Sequence, residues 1–147
     1  MKNMKLFTLV VLMATFVACN DDDKHEKVLA EKEIPAAIID YKTTHFPEAI
    51  INRAILDSEH ETIYEIYLSG NVELDFNENC EIIDIDGTTK LPDSVIPVEI
   101  QNYVTENYPT YVITDWELEL GNQQIEFSNG WELEFKLDGT FIRIDKD

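Results

Sequence analysis

The side chain with the most definite chemistry is Cys19, which follows Phe16-Val17-Ala18 at the end of an apolar run. That arrangement resembles a bacterial lipobox, in which the thiol takes a diacylglyceryl group and the Cys becomes the first residue after cleavage. Phe16 stands where that motif usually carries Leu. A second set is Asp75-x-Asn77-x-Asn79 with Asp86 at the twelfth place, an oxygen-ligand spacing that imitates a helix-loop-helix calcium loop. Cys80 occupies the sixth position, where such a loop needs Gly, and strand patterns flank it, so the expectation is a hairpin turn. His25, His45 and His60 lack the spacing to Cys or carboxylate that a zinc site needs. No Ser-His-Asp set, Gly-rich phosphate loop or zinc motif is present. The expectation is a protein that is not an enzyme, with no cofactor and no metal.

The segment that must position Cys19 is an export signal. MKNMK supplies a short basic region, and LFTLVVLMATFVA an uncharged apolar run of signal-peptide length. It is too short to cross a bilayer comfortably, which takes about 20 apolar residues. Residues 1–18 are therefore read as a lipoprotein signal and 19–28 as a lipidated acidic tether. Each acyl methylene contributes about 0.8 kcal/mol of membrane affinity, so two or three chains make a lasting anchor. Asn20-Asp21-Asp22-Asp23-Lys24-His25-Glu26-Lys27 has too little apolar surface to fold alone. An acidic run directly after the Cys also resembles the surface-export signal of Bacteroidota lipoproteins. The expected location is the outer membrane, facing the medium, with the periplasmic face as the alternative.

The chain has 30 acidic and 11 basic residues, a net charge of −19. Cleavage would remove Lys2 and Lys5 and no acid, leaving nine basic residues and a charge of −21. Such a surface repels nucleic acid and anionic lipid and favours cationic partners. With Cys19 acylated, Cys80 would have no thiol partner.

After the tether, the chain reads as one unit written twice. LAEKEIPAAIIDYKTTHFP (29–47) and LPDSVIPVEIQNYVTENYP (91–109) align at an offset of 62, matching Leu29 with Leu91, Ile34-Pro35 with Ile96-Pro97 and Tyr41 with Tyr103. Apolar spacings of three and four predict an amphipathic helix in each. Pro35 and Pro97 are expected in the first turn, and Pro47 and Pro109 end the helix. The period then falls to two, predicting about four antiparallel strands per copy. In the second copy Asp138-Gly139 suggests a two-residue hairpin with both turn residues at positive φ. At an offset of 59, Glu73-Leu74 falls on Glu132-Leu133, Phe76 on Phe135, and Cys80 on the turn residue Gly139.

The alternation assigns faces. Trp131, Leu133, Phe135, Ile142 and Ile144, with Val72, Leu74, Phe76, Ile83, Ile85 and Trp116, are expected under the helices. Phe141, Tyr67 and Ile82 take outward parity and would be the apolar part of any binding patch; Ile113 falls on the outward alternation of its strand. The opposite face would show Glu65, Glu73, Asp75, Asp84, Asp115, Glu117, Glu119, Glu126, Glu132 and Glu134. Outward strand positions are commonly polar, yet so many like charges repel one another. This face is therefore the candidate site for an unidentified basic protein. Each copy is small, so a shared core or continuous sheet is expected.

Ile34-Pro35 with Phe46-Pro47, Ile96-Pro97 with Tyr108-Pro109, and the hairpin at Asp138-Gly139 together resemble the β-lactamase-inhibitor-like, PepSY-like family of exported bacterial proteins. The resemblance spans Leu29 to the C-terminus. It implies an α+β fold of two repeats (29–88 and 89–147), each a helix followed by about four strands, the helices packed on one face of a shared or adjoining sheet. It also implies an inhibitor-like or partner-binding role, and carries no catalytic residues. The alternative reading is an accessory envelope lipoprotein that holds a small ligand, a glycan or a cation.

Overall fold

The computed structural model describes residues 26–58 and 63–146. The signal segment, Cys19, His25 and His60 lie outside the described residues. Strand β1 (Glu26–Val28) comes first, within the stretch read as tether. A 3-10 turn (Glu31–Glu33), helix α1 (Ala36–His45) and strands β2 (Ile51–Asp57), β3 (Ile63–Leu68), β4 (Val72–Phe76) and β5 (Ile82–Gly87) come next. The order recurs as a 3-10 turn (Asp93–Val95), α2 (Val98–Asn107), β6 (Ile113–Leu118), β7 (Asn122–Phe127), β8 (Glu132–Lys136) and β9 (Phe141–Asp145). Among the described residues the nine strands form one antiparallel sheet in chain order. Neither helix is long or apolar enough to cross a membrane.

Both helices start one step later than the apolar spacing suggests. Pro35 and Pro97 are the N-caps, with ψ near 140°, and their carbonyls accept the first helical N–H groups, from Ile38 and Ile39 and from Gln101. Each helix ends before its second proline. Phe46 and Tyr108 leave the helical region at φ −131° and −137°, as the proline ring after each requires.

Ile38 and Ile100, on corresponding helix positions, are wholly buried. Tyr41 of α1 meets the ring of Phe76 edge-on at 5.3 Å, and Tyr103 of α2 meets Phe135 likewise at 5.4 Å. Buried side chains from both halves belong to one cluster. The halves are joined through the sheet by β5 and β6, where Ile85 pairs with Trp116 and Asp86 with Asp115. Trp116 is buried, and its indole N–H donates to Gln123 Oε1 at 3.0 Å. Trp131 is half-buried, stacked on Tyr111.

Bulges change the predicted faces at corresponding places in the two halves. One lies between Asp75 and Phe76 opposite β5, its counterpart between Glu134 and Phe135 opposite β9. An extra residue reverses the parity of the positions beyond it. Phe76 therefore pairs with Ile82 and Phe135 with Phe141. Ile82 and Phe141, expected outside, pack against the core, where Phe141 stacks on Tyr103 at 4.8 Å. Ile142, expected inside, is exposed, and Ile83 lies off the core cluster. Ile113, given outward parity, is buried beside a third bulge between Ile113 and Asp115.

The hairpin turns also differ from expectation. Gly139 has φ +80°, while Asp138 is not in the left-handed region. Gly139 N–H donates to Lys136 O and Lys136 N–H to Thr140 O, a type I turn followed by one left-handed residue. The first half repeats this geometry. Cys80, at φ +60°, donates its N–H to Asn77 O, and Asn77 N–H reaches Glu81 O. Cys80 is thus a turn residue, as its alignment with Gly139 predicts. Asn77 Oδ1 accepts from the N–H groups of Asn79 and Glu81, so the calcium-like spacing builds a hairpin turn.

Candidate functional site

Strands β3 to β9 carry acids at alternate positions, and the pairing register lines these up across the sheet. One row runs Glu65, Asp75, Asp84, Glu117, Gln124, Glu134 and Arg143. The next runs Tyr67, Glu73, Asp86, Asp115, Glu126, Glu132 and Asp145. Nine of the ten predicted acids fall in these two rows. Glu119 does not. It lies past the end of β6, its N–H bonded to Asn122 O.

Directly opposed side chains on neighbouring strands have Cβ atoms about 4.5–5.5 Å apart, and like charges so placed are destabilising. Here Glu65 faces Asp75, Asp75 faces Asp84, and Asp84 faces Glu117. Strands β3 to β7 contain no Lys or Arg. Among the described residues the basic side chains lie outside these strands, Lys136 ending β8 on the alternation of Glu132 and Glu134. Arg53 of β2 is paired with Tyr67, and Arg143 of β9 bonds the Glu134 carboxylate and lies 3.9 Å from Asp145. Glu134 also accepts from Asn122 Nδ2 at 2.6 Å.

The centre of the face is the most strained electrostatically. Burial first, then the charges of Glu73, Asp84 and Glu65, push the Asp75 carboxyl up to about 7. Its Oδ1 is buried without a hydrogen-bond partner. Burial and Glu117 raise Asp84 to about 6, and burial with Asp84, Asp86 and Glu126 raises Asp115 to about 7. Tyr67 donates to Glu65 Oε2 at 2.8 Å, and burial and these acids push its phenol well above the usual range. Partial withdrawal from water and the neighbouring negative charges both favour the protonated form of these three carboxyls. Asp86, Glu117 and Glu132 are exposed.

Sequence parity places the strand acids correctly but leaves out Asp86 and Asp145. Asp86 shares the alternation of Asp84, and Asp145 is its counterpart in the second half, so the signal is present. Tyr67 does face outward, as part of the acidic row. His45 sits away from this face, its Nδ1 2.9 Å from Ser94 Oγ, linking the two halves. Among the described residues, no group of three or more His, Cys, Asp or Glu side chains converges as a metal site would require.

A shallow cavity opens beneath each helix. One, of about 490 Å³, is lined by Leu29, Ile39, Thr43 and Ile51. The other, of about 350 Å³, is lined by Leu91, Gln101, Thr105 and Ile113. Neither gathers groups suited to catalysis.

Comparison with known proteins places this fold. A solved structure from Bacteroides thetaiotaomicron, described as a "putative calcium-regulated periplasmic protein", superposes with a TM-score of 0.78 at 26% identity, covering 82% of this chain and 97% of the other. A "putative periplasmic protein of unknown function" from Bacteroides vulgatus gives 0.77 at 23%, covering 82% and 99%. A further "putative periplasmic protein" from Bacteroides vulgatus gives 0.77 at 24%, covering 86% and 99%. No curated protein matches the chain significantly. The family model described as "Putative beta-lactamase-inhibitor-like, PepSY-like" matches twice, over residues 20–84 and 64–143. The chain belongs to the β-lactamase-inhibitor-like, PepSY-like family.

Proposed function

We propose that this chain is an exported, membrane-tethered lipoprotein without enzymatic activity, whose acidic sheet face binds a basic protein. The two halves are copies of one helix-plus-sheet unit that share a core and set their acids in register. The observation that carries the reading is the pair of acid rows crossing β3 to β8, with no Lys or Arg in strands β3 to β7. Folding alone does not favour that arrangement, because opposed like charges destabilise a sheet. A basic partner would relieve the repulsion and gain fast, salt-sensitive association. The inhibitor-like family and the periplasmic descriptions of the structural neighbours support an exported binding protein. The Cys19 motif and its acidic run support an anchor in the outer membrane, facing the medium.

The test is a photo-cross-linking residue at position 117 in cells. It should trap one basic protein, and trapping should be lost when Asp86→Asn and Glu132→Gln are added. Trapping that persists unchanged in that variant would show that the acids do not recognise the partner. Glu134 is a poorer choice for substitution, because Arg143 already neutralises it.

A second reading is supported by the description of one neighbour as calcium-regulated and by the unpartnered Asp75 Oδ1. The face would then collect divalent cations across its rows. Calcium titration of the mature chain, followed by melting temperature, distinguishes the two readings. A rise saturating at low calcium favours this one, and no rise removes it.

A further inference from the structure

The sheet has two ends, and they are chemically different. The chain enters β1 at Glu26, which pairs with Asp57, the last residue of β2. Because the sheet is an antiparallel meander, the connections after β4, β6 and β8 all lie at this entry end. In the first half the turn after β4 is polar, built from Asn77, Glu78, Asn79 and Glu81. In the second half the same end carries Leu118, Leu120 and Leu137, all exposed, Leu120 completely. Leu118 pairs with Gln123. The buried Gln123 amide donates to Lys136 O at 3.0 Å and to Leu137 O at 3.4 Å, so the two leucine-bearing turns are fastened together. Isolated exposed leucines are ordinary, but three gathered on tied turns form a patch.

We propose that this leucine tip rests in the lipid surface to which Cys19 anchors the chain, making a second point of membrane attachment. The proposal rests on the lipid-anchored reading above. Six residues lie between Cys19 and Glu26, seven Cα-to-Cα steps with a reach of about 25 Å at full extension. The entry end of the sheet is therefore held close to the bilayer whatever the path of the tether. Strands are about 4.8 Å apart, so β6 lies about 24 Å from β1 and β8 about 34 Å. The anchor at one margin and the leucines toward the other would stand the strands upright on the membrane. The acidic face would then run parallel to the bilayer normal, open to partners from the side. Glu117, Glu119 and Asp138 near the tip would repel anionic headgroups, so the surface it fits is zwitterionic.

The experiment uses the acylated mature chain carrying Cys80→Gly, with a single environment-sensitive fluorophore at Leu120→Cys. It is reconstituted into phosphatidylcholine–phosphatidylethanolamine vesicles. A second protein carries the label at Asn129→Cys, in the turn at the opposite end. Quenching by aqueous iodide should fall at least about threefold at position 120 relative to position 129, as expected for a group seated at the headgroup boundary. Adding Leu118→Ser and Leu137→Ser should restore it. Equal quenching at both positions on an acylated protein overturns the leucine contact and leaves the anchor standing. Shielding that appears only in native envelopes, and not in lipid vesicles, also overturns it, because the occupant is then a protein. A mature chain without acyl mass on Cys19 overturns the anchored reading and the proposal with it.

Discussion

Replacing Asp75 with Asn should stabilise this protein at pH 8, although the substitution removes a charge from a surface that is otherwise rich in exposed acids. Asp75 stands between Glu65 and Asp84 on the neighbouring strands, and its carboxyl is pushed up to about 7 from an ordinary 3.8. A displacement of about three pH units corresponds to about 4 kcal/mol if the group is fully withdrawn from water. Part of this carboxyl faces solvent, and screening reduces the penalty to about 1–2 kcal/mol. Because the folded-state value is the raised one, the folded chain binds more protons between about pH 4 and pH 7. The associated stability is complete below about pH 4 and is lost as pH rises through about 7. Wild type thus bears the cost at pH 8, and the neutral amide does not. Thermal melts should show Asp75→Asn higher by about 4–8 °C at pH 8, with the difference vanishing near pH 4. A variant equally destabilised at both pH values would refute the reasoning, since Asp75 would then be structural rather than strained.

Other substitutions probe the frame that holds the face. Gly139→Ala should destabilise by about 2–3 kcal/mol, because a Cβ there would sit 2.3 Å from Glu99 Cβ at φ +80°. Gly130→Ala has nothing within 4 Å, and should cost only the conformational penalty of about 1 kcal/mol. Urea melts of the pair check the difference, and equal losses would remove the claimed contact between α2 and the β8–β9 turn. Gln123→Ala strips a buried amide from the Trp116 indole and two turn carbonyls and should cost about 2–3 kcal/mol. Hydrogen exchange should then quicken in the turn 137–140 before it quickens in β4. In wild type, lowering the pH from 8 to 5 should raise the melting temperature, since Asp75, Asp84 and Asp115 all titrate in or near that interval.

Much of this architecture is legible in the sequence because it is written twice. Ile34-Pro35 and Ile96-Pro97, set against Phe46-Pro47 and Tyr108-Pro109, mark both helices, and period-two alternation marks the strands after them. Within each strand the acids can be assigned to one face, since parity holds wherever the ladder is regular. The bulges are not legible. A bulge inserts one residue without any residue type that demands it, so Ile82 and Ile83, or Phe141 and Ile142, are interchangeable to pattern reasoning and opposite in the fold. The left-handed turn residue is legible directly as Gly139, and as Cys80 only through its alignment with Gly139. The electrostatic strain is hidden for another reason. Alternation says that Asp75 and Asp84 point outward, and only the register says that they face each other.

The central claim is that the acid rows recognise a basic protein, and it is tested most directly by affinity capture from gently solubilised native envelopes. The acylated wild-type chain would be compared with the Asp86→Asn, Glu117→Gln, Glu132→Gln variant, each washed in low and in high salt. The account predicts one basic protein retained by wild type in low salt, released in high salt, and absent from the variant in both. Retention of the same protein by the variant, unaffected by salt, would contradict it.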